Sequence, residues 1–214
     1  LVTEKNKVKL FIIRHGETMG NNDDLLQGHK NGLLSPKGYE QAENLARTLQ
    51  NEKVDVIYSS DLARGFETAQ IIAKPHGISV QKTPEARERC FGIFEGTSRT
   101  QFYRTERNLP NPYENRPEKG ESFNDLYKRA KKFILSIISL HLGQTIFLVA
   151  HGDFGRMCLG ILMDKKVDEA AQIYQTNACL NILEVDKNGR ATSCILNQTS
   201  HLPKKLVSVN KSAL

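Results

Sequence analysis

Two histidines in this chain each follow a short apolar run and precede a glycine. His15 lies in Arg14-His15-Gly16-Glu17-Thr18 after residues 8–13, and His151 lies in His151-Gly152 after residues 145–150. Apolar runs of this length, rich in β-branched residues, predict buried strands. The carboxyl ends of such strands are where open α/β sheets bind ligands. Two strand-end histidines therefore predict one pocket built from both. Arg14 accompanies the first histidine, and Ser59 with nearby Arg64 follows another apolar run at 54–58. The same sheet edge would then collect two imidazoles and two guanidinium groups. Guanidinium binds phosphate through planar, bidentate hydrogen bonds. An imidazole flanked by cations has its pKa pushed down, which keeps a nitrogen lone pair free for attack. The chemistry this favours is phosphoryl transfer to histidine. No acidic pair at metal-ligand spacing accompanies the set, and the arginines would repel a divalent cation, so neither a metal nor a cofactor is expected.

The elements that must position these residues read as alternating strands and helices. After the strand at 8–13 comes a long polar loop, 16–34, of the kind that in compact domains is usually functional. Ser35-Pro36 opens a helix whose apolar face is Tyr39, Ala42, Leu45, Ala46 and Leu49. A strand at 54–58 leads to Ser59-Ser60-Asp61, read as the cap of a helix that Gly77 stops, and a third strand follows at 78–81. Residues 84–121 read as irregular. Ser122-Phe123-Asn124-Asp125 resembles a capping box and starts a long amphipathic helix through Leu142, ended by Gly143. The strand at 145–149, a short helix near 154–162 and a hairpin pairing 178–185 with 191–196 around Asn188-Gly189 complete the pattern. Strand–helix–strand alternation implies parallel pairing and right-handed crossovers. The expected fold is a three-layer α/β/α domain with a mostly parallel central sheet over residues 1–202, followed by a basic, weakly ordered tail at 203–214.

Composition narrows the function. The 214 residues suffice for one sizeable α/β domain. The formal net charge of +6 fits either a solvated basic surface or a field that steers anionic substrates into a positive cleft. Nucleic-acid binding is disfavoured, because the lysines are dispersed, tryptophan is absent and no basic stripe interleaves with aromatics. No stretch approaches the roughly 18 apolar residues of a membrane span. No signal-peptide pattern opens the chain, and Cys90, Cys158, Cys179 and Cys194 form no CxxC pair. These features suggest a cytoplasmic protein with reduced thiols, a monomer or homodimer, acting on a phosphorylated small molecule.

In order along the chain come Arg14-His15-Gly16-Glu17-Thr18, Asn21, Gln27-Gly28, Leu34-Ser35-Pro36-Lys37-Gly38 and Ser59-Ser60-Asp61-Leu62-Ala63-Arg64. Glu88-Arg89 with Gly92, Glu95-Gly96, Gly120-Glu121-Ser122 and Ala150-His151-Gly152 follow. Over residues 8–200 this series resembles the histidine phosphatase superfamily, which includes the cofactor-dependent phosphoglycerate mutases. The resemblance implies that His15 is the nucleophile that becomes phosphohistidine. It further implies that Arg14, Asn21, Arg64 and His151, with Gly152, hold the phosphate. Glu88 is implied as general acid and then base, with Glu85 a nearby rival. Glu17, Thr18, Gln27, Gly28 and Ser59 are expected to support these groups or the substrate, while His29, His76, His141 and His201 read as ordinary.

Within that family the segment 97–119 is short, which favours hydrolysis of phosphoric monoesters, of the histidine acid phosphatase type, over mutase activity. Arg99, Arg104, Arg107 and Arg116 in that segment remain available to an acidic substrate. Asp153 departs from the small or apolar residues more usual after the second histidine; it is read as the cap of the following helix. An inactive phosphate-binding module is the alternative class. Loss of His15, Arg64, Glu88 or His151 would mark it, and all four are present.

Overall fold

A computed structural model describes residues 6–208. In chain order the elements are β1 (Lys7–Arg14), α1 (Met19–Asn22), α2 (Pro36–Leu49), β2 (Val56–Ser60), α3 (Ala63–Ala73) and β3 (Val80–Thr83). They continue with α4 (Arg99–Arg107), α5 (Phe123–Leu140), β4 (Thr145–Ala150), α6 (Gly152–Leu162), α7 (Val167–Ala171), β5 (Leu180–Asp186) and β6 (Ala191–Gln198). The six strands form one sheet in the order β3-β2-β4-β1-β5-β6. The pairs β3–β2, β2–β4 and β4–β1 are parallel, and the β5–β6 hairpin adds antiparallel to β1.

Alternation along the strands builds a core on each face. Leu10 and Ile12 of β1 and Leu148 of β4 pack with α5 and α6. Phe11, Ile13, Phe147 and Val149 pack on the other face with Leu45 and Leu49 of α2 and Ala69 and Ile72 of α3. The chain leaves β1 for one face and β4 for the other, so the β1–β4 boundary is a topological switch point, where such sheets open a crevice. Register places both histidines there: Arg14 pairs with Ala150, and the His15 amide donates to the Ala150 carbonyl at 3.0 Å.

Several local expectations shift. The second strand begins at Val56 rather than residue 54, because Asp55 is spent on Thr145, exchanging bonds with its backbone before the ladder starts. The third runs over Val80–Thr83. Ser59 and Ser60 belong to β2, and the cap of α3 is Leu62, with no side-chain bond to the helix; Asp61 instead takes the Arg87 guanidinium on both oxygens. The segment read as irregular contains α4, capped by Ser98. The capping box at Ser122 and Asp125 is present, and α5 ends two residues early at Leu140. In the hairpin turn only Gly189 takes positive φ. Residues 203–208 are docked rather than a loose tail: Gln41 of α2 donates to the Leu206 carbonyl and to Ser208, and Leu206 is buried. Residues 209–214 of that predicted tail lie outside the described residues.

Candidate active site

The site begins with a close approach of two backbones. A Cβ on Gly16 would lie 2.5 Å from the Gly38 carbonyl oxygen, and one on Gly38 would lie 1.9 Å from that of Glu17. Only glycine at both positions lets the turn after β1 seat against the first turn of α2. That contact sets the direction in which His15 leaves the strand. Its ring Nδ1 lies 2.7 Å from the Gly16 carbonyl oxygen. A carbonyl only accepts, so Nδ1 carries the proton and Nε2 keeps its lone pair.

His15 and His151 are buried, their rings meeting edge to face with centroids 5.1 Å apart. Burial, with Arg64 next in weight, holds both pKa values well below the ordinary histidine range, and Arg14 adds to the effect. Both imidazoles are neutral at neutral pH. Arg64 is almost completely buried, and its Nη groups donate to the carbonyls of Lys30 and Gly28 at 2.9 and 2.8 Å. Burial lowers its pKa to about 10, which leaves it a cation. Arg14 donates from Nη1 to the Gln175 carbonyl at 2.6 Å. Arg14 Nε, Arg64 Nε and both ring nitrogens of His151 are buried with no hydrogen-bond partner. Buried polar groups are normally satisfied, and all three residues neighbour His15: His151 by its ring contact, Arg64 and Arg14 as the cations that act on it. A tetrahedral anion is the species that suits them. Asn21 lines the same cavity; its Oδ1 accepts from the Thr18 amide and from Asn177 Nδ2, which leaves its own Nδ2 as the donor for an oxyanion.

Glu88 reaches the site from the loop before α4. Its Oε1 accepts from the backbone amides of Arg89, Asp153 and Phe154 at 3.0, 3.1 and 3.1 Å. It therefore takes the cap position at the start of α6 that was assigned to Asp153. Oε2 makes one longer contact, 3.3 Å to the Asp153 amide, and is the oxygen left to carry a proton. Burial and the neighbouring Asp153 carboxylate raise the pKa of Glu88, and these outweigh the amides and Arg64, which lower it. Gly152 borders both groups: a Cβ there would make ordinary contact, at 3.6 Å, with the Arg14 guanidinium and Glu88 Oε2. Glu85 is exposed in a short turn and lies away from the cavity.

The cavity is about 470 Å³, with Arg14, His15, Asn21, Gln27, Gly28, Arg64, Glu88 and Gly152 among its lining residues. Asp153 of α6 and Tyr103 of α4 line it near Glu88, and its more exposed part adds Arg99 and Arg107 from α4, Arg156 from α6, and Gln172 and Tyr174. Of the four arginines expected to face an acidic substrate, Arg99 and Arg107 line it. Arg104 does not, and Arg116 pairs with Asp125 elsewhere.

The supporting residues have scattered tasks. Glu17 faces away from the cavity, accepting from Ser208 and Ser35 and pairing with Lys37. Thr18 caps α1 and accepts from Gln27 Nε2. Ser59 is fully buried and donates to the Ser60 carbonyl, with no face on the cavity. His29 bonds the Glu88 carbonyl at 2.8 Å and so braces the loop that carries the acid. Arg156 and Tyr103 escaped the sequence reading. The first follows His151 by five residues in the short helix read near 154–162, where it was given no role, and the second lies in the segment taken as irregular.

Comparison with known proteins finds relatives along most of the chain. A 206-residue stretch is 32% identical to phosphoglycerate mutase-like protein 4 of Arabidopsis thaliana, covering 91% of this chain and 86% of that protein. Over 199 residues it is 29% identical to putative phosphoserine phosphatase 2 of Hydrogenobacter thermophilus, covering 90% of this chain and 97% of that one. The phosphoserine phosphatase of Entamoeba histolytica, solved with 3-phosphoglyceric acid, superposes with a TM-score of 0.78 at 26% identity, over 92% of this chain and all of that one. The sequence model of the histidine phosphatase superfamily (branch 1) matches residues 10–198. With that match running from β1 through β6, the chain belongs to the histidine phosphatase superfamily.

Proposed function

We propose that this protein is a metal-independent phosphomonoester hydrolase that works through a phosphohistidine on His15. The observation that carries the reading is that His15, its Nε2 freed by the Nδ1–Gly16 bond, and Glu88, its Oε2 left to hold a proton, line the same cavity. Arg14, Arg64, Asn21 and His151 hold the phosphoryl oxygens between them. Nε2 attacks phosphorus as the ester P–O bond breaks, and the Oε2 proton passes to the leaving oxygen. An alkoxide leaves poorly at neutral pH, so that proton matters. Fixed guanidinium groups neutralise charge spread over the phosphoryl oxygens without reorganising, which is the role a metal would otherwise fill. Water then attacks phosphorus, the P–N bond breaks back to His15, and the Glu88 carboxylate takes the water's proton. A covalent intermediate divides one hard displacement into two easier ones.

Arg99, Arg107 and Arg156 on the outer wall support a small phosphorylated substrate with a second anionic group. They also support the runner-up reading. A mutase must hold its phosphorylated product long enough to return the phosphoryl group, and extra cations serve that. The H. thermophilus and E. histolytica relatives bear phosphatase names and the A. thaliana relative a mutase-like one. The test is turnover of an aryl phosphate in excess chelator, with 3-phosphoglycerate assayed in parallel. Hydrolysis that persists with chelator and disappears in His15→Ala supports the phosphatase. Activity that requires added metal overturns it, and isomerisation outpacing hydrolysis favours the mutase.

A further inference from the structure

Asp153 is the one acidic side chain besides Glu88 among the residues lining the cavity, and its placement is specific. It is 3% exposed. Its own amide donates to both Glu88 oxygens, so the two acids share one helix start. Its side chain turns away from that helix end and accepts from two donors. Tyr103 Oη donates to Oδ2 at 2.5 Å, and Arg156 Nη1 donates to Oδ1 at 3.0 Å. With both oxygens accepting, the group is a carboxylate. Tyr103 is a secure donor, since burial and Asp153 itself hold its phenol well above the ordinary tyrosine range.

A carboxylate beside a carboxyl group resists the ionisation of its neighbour. We propose that Asp153 is a positioning residue for the reaction: fixed by Tyr103 and Arg156, its charge keeps Glu88 in the protonated form that the leaving group needs. The inference rests on Glu88 acting as the proton donor described above. Without a partner of like charge, Glu88 would face the cations Arg14 of β1 and Arg64 of α3, together with the α6 amides, all of which favour the ionised form. Other groups meet it from the remaining elements. Arg129 of α5 and His29 both bond its carbonyl, Arg156 follows Asp153 on α6, and Tyr103 approaches from α4. The neutral rings of His15 and His151 lie across the phosphate site, and Arg99 and Arg107 stand farther out on the wall. Burial and Asp153 oppose that positive surround. The device also links the general acid to α4, the element that supplies the outer wall, through the Tyr103 hydroxyl.

The test reads the titration of Glu88 itself and then its kinetic consequence. The carboxyl carbon of Glu88 is followed by ¹³C NMR in wild type and Asp153→Asn, assigned by its loss in Glu88→Gln. The titration is expected to move down by about one pH unit, the scale of a single charged neighbour. The alkaline limb of kcat/KM for an alkyl phosphate should move down with it. For an aryl phosphate whose leaving group needs no proton, the limb should stay in place. Arg156→Gln gives the opposite sign, because the cation that offsets Asp153 is removed; the Glu88 titration should rise. That variant serves if Asp153→Asn does not fold. A Glu88 titration unmoved in Asp153→Asn, or unmoved or lowered in Arg156→Gln, overturns the proposal. A titration that moves while the kinetic limb does not would instead contradict Glu88 as proton donor.

Discussion

Breaking the buried ion pair under the outer wall should cost more stability than any surface change and should loosen the cavity as well. Arg89, next to Glu88, is wholly inaccessible, and its Nη groups reach both Glu106 oxygens of α4 at 2.9 and 2.6 Å. Glu106→Ala removes two charge-assisted bonds and leaves a guanidinium in the core. Losing one partner of a buried pair typically costs about 3–5 kcal/mol. Part of the charge stays compensated here. Nε still donates to the Glu121 carbonyl at 2.8 Å, and the guanidinium carbon lies 4.2 Å from the Phe123 ring centroid. Such contacts are worth about 1–2 kcal/mol when desolvated, which puts the expectation at the lower end, about 3 kcal/mol. The double variant Arg89→Met, Glu106→Leu leaves no orphaned charge and should recover most of that loss. Urea unfolding followed by circular dichroism at pH 7 measures both. Because α4 carries Arg99, Tyr103 and Arg107, the single variant should also raise KM. A loss below about 1 kcal/mol, or a double variant as unstable as the single one, would refute the reasoning that α4 is held by this pair.

The site's protonation states give three further predictions. Glu88→Gln should slow hydrolysis of alkyl phosphates by about 10²–10⁴-fold and that of activated aryl phosphates far less, measured as kcat/KM against leaving-group pKa; equal losses on both would count against a proton donor. The same variant should be more stable than wild type at pH 8. Folding raises the pKa of Glu88, so its contribution is complete below the unfolded value near 4.5 and is lost as pH rises from there through the folded value; the difference between the two proteins should vanish at the acid end. The neutral, buried histidines give the opposite slope. His15 and His151 have depressed folded pKa values, so their contribution is complete above about pH 6.5 and is lost as pH falls toward the folded values. Thermal unfolding of wild type should weaken between pH 7 and 5, and His151→Gln should flatten that decline; an unchanged slope would contradict burial of a neutral imidazole.

The meeting of His15, Arg14 and His151 was legible in the sequence because strand ends converge. Once residues 8–13 and 145–149 read as strands, His15, Arg14 and His151 had to meet at one edge, and their registered pairing is the physical form of that argument. The helix α4 was not legible, because helices are read from an apolar stripe. Its buried residues are only Phe102 and Glu106, the second an acid whose partner, Arg89, is distant in sequence. Asp153 misled for a related reason. Local preference makes an acid at a helix start a cap, but the amides there were already taken by Glu88 from 65 residues away. The Ser59-Ser60-Asp61 cap failed in the same manner, since Arg87 claims Asp61 and β2 extends through Ser60. The docked segment 203–208 carries basic residues that suggest a loose end, whereas Gln41 and Glu17 fix it through Leu206 and Ser208. In each case a long-range polar bond decided a position that nearby residues left open.

The most direct measurement is chemical trapping of the intermediate. Wild-type protein mixed for milliseconds with a ³²P-labelled substrate and quenched in base should retain label that is stable to base and labile to acid. It should map to the peptide containing His15, with none on His15→Ala and more on Glu88→Gln when supplied with an activated aryl phosphate, since water activation is then impaired. Absence of protein-bound label in an actively hydrolysing wild type, or label on any residue other than His15, would contradict the account.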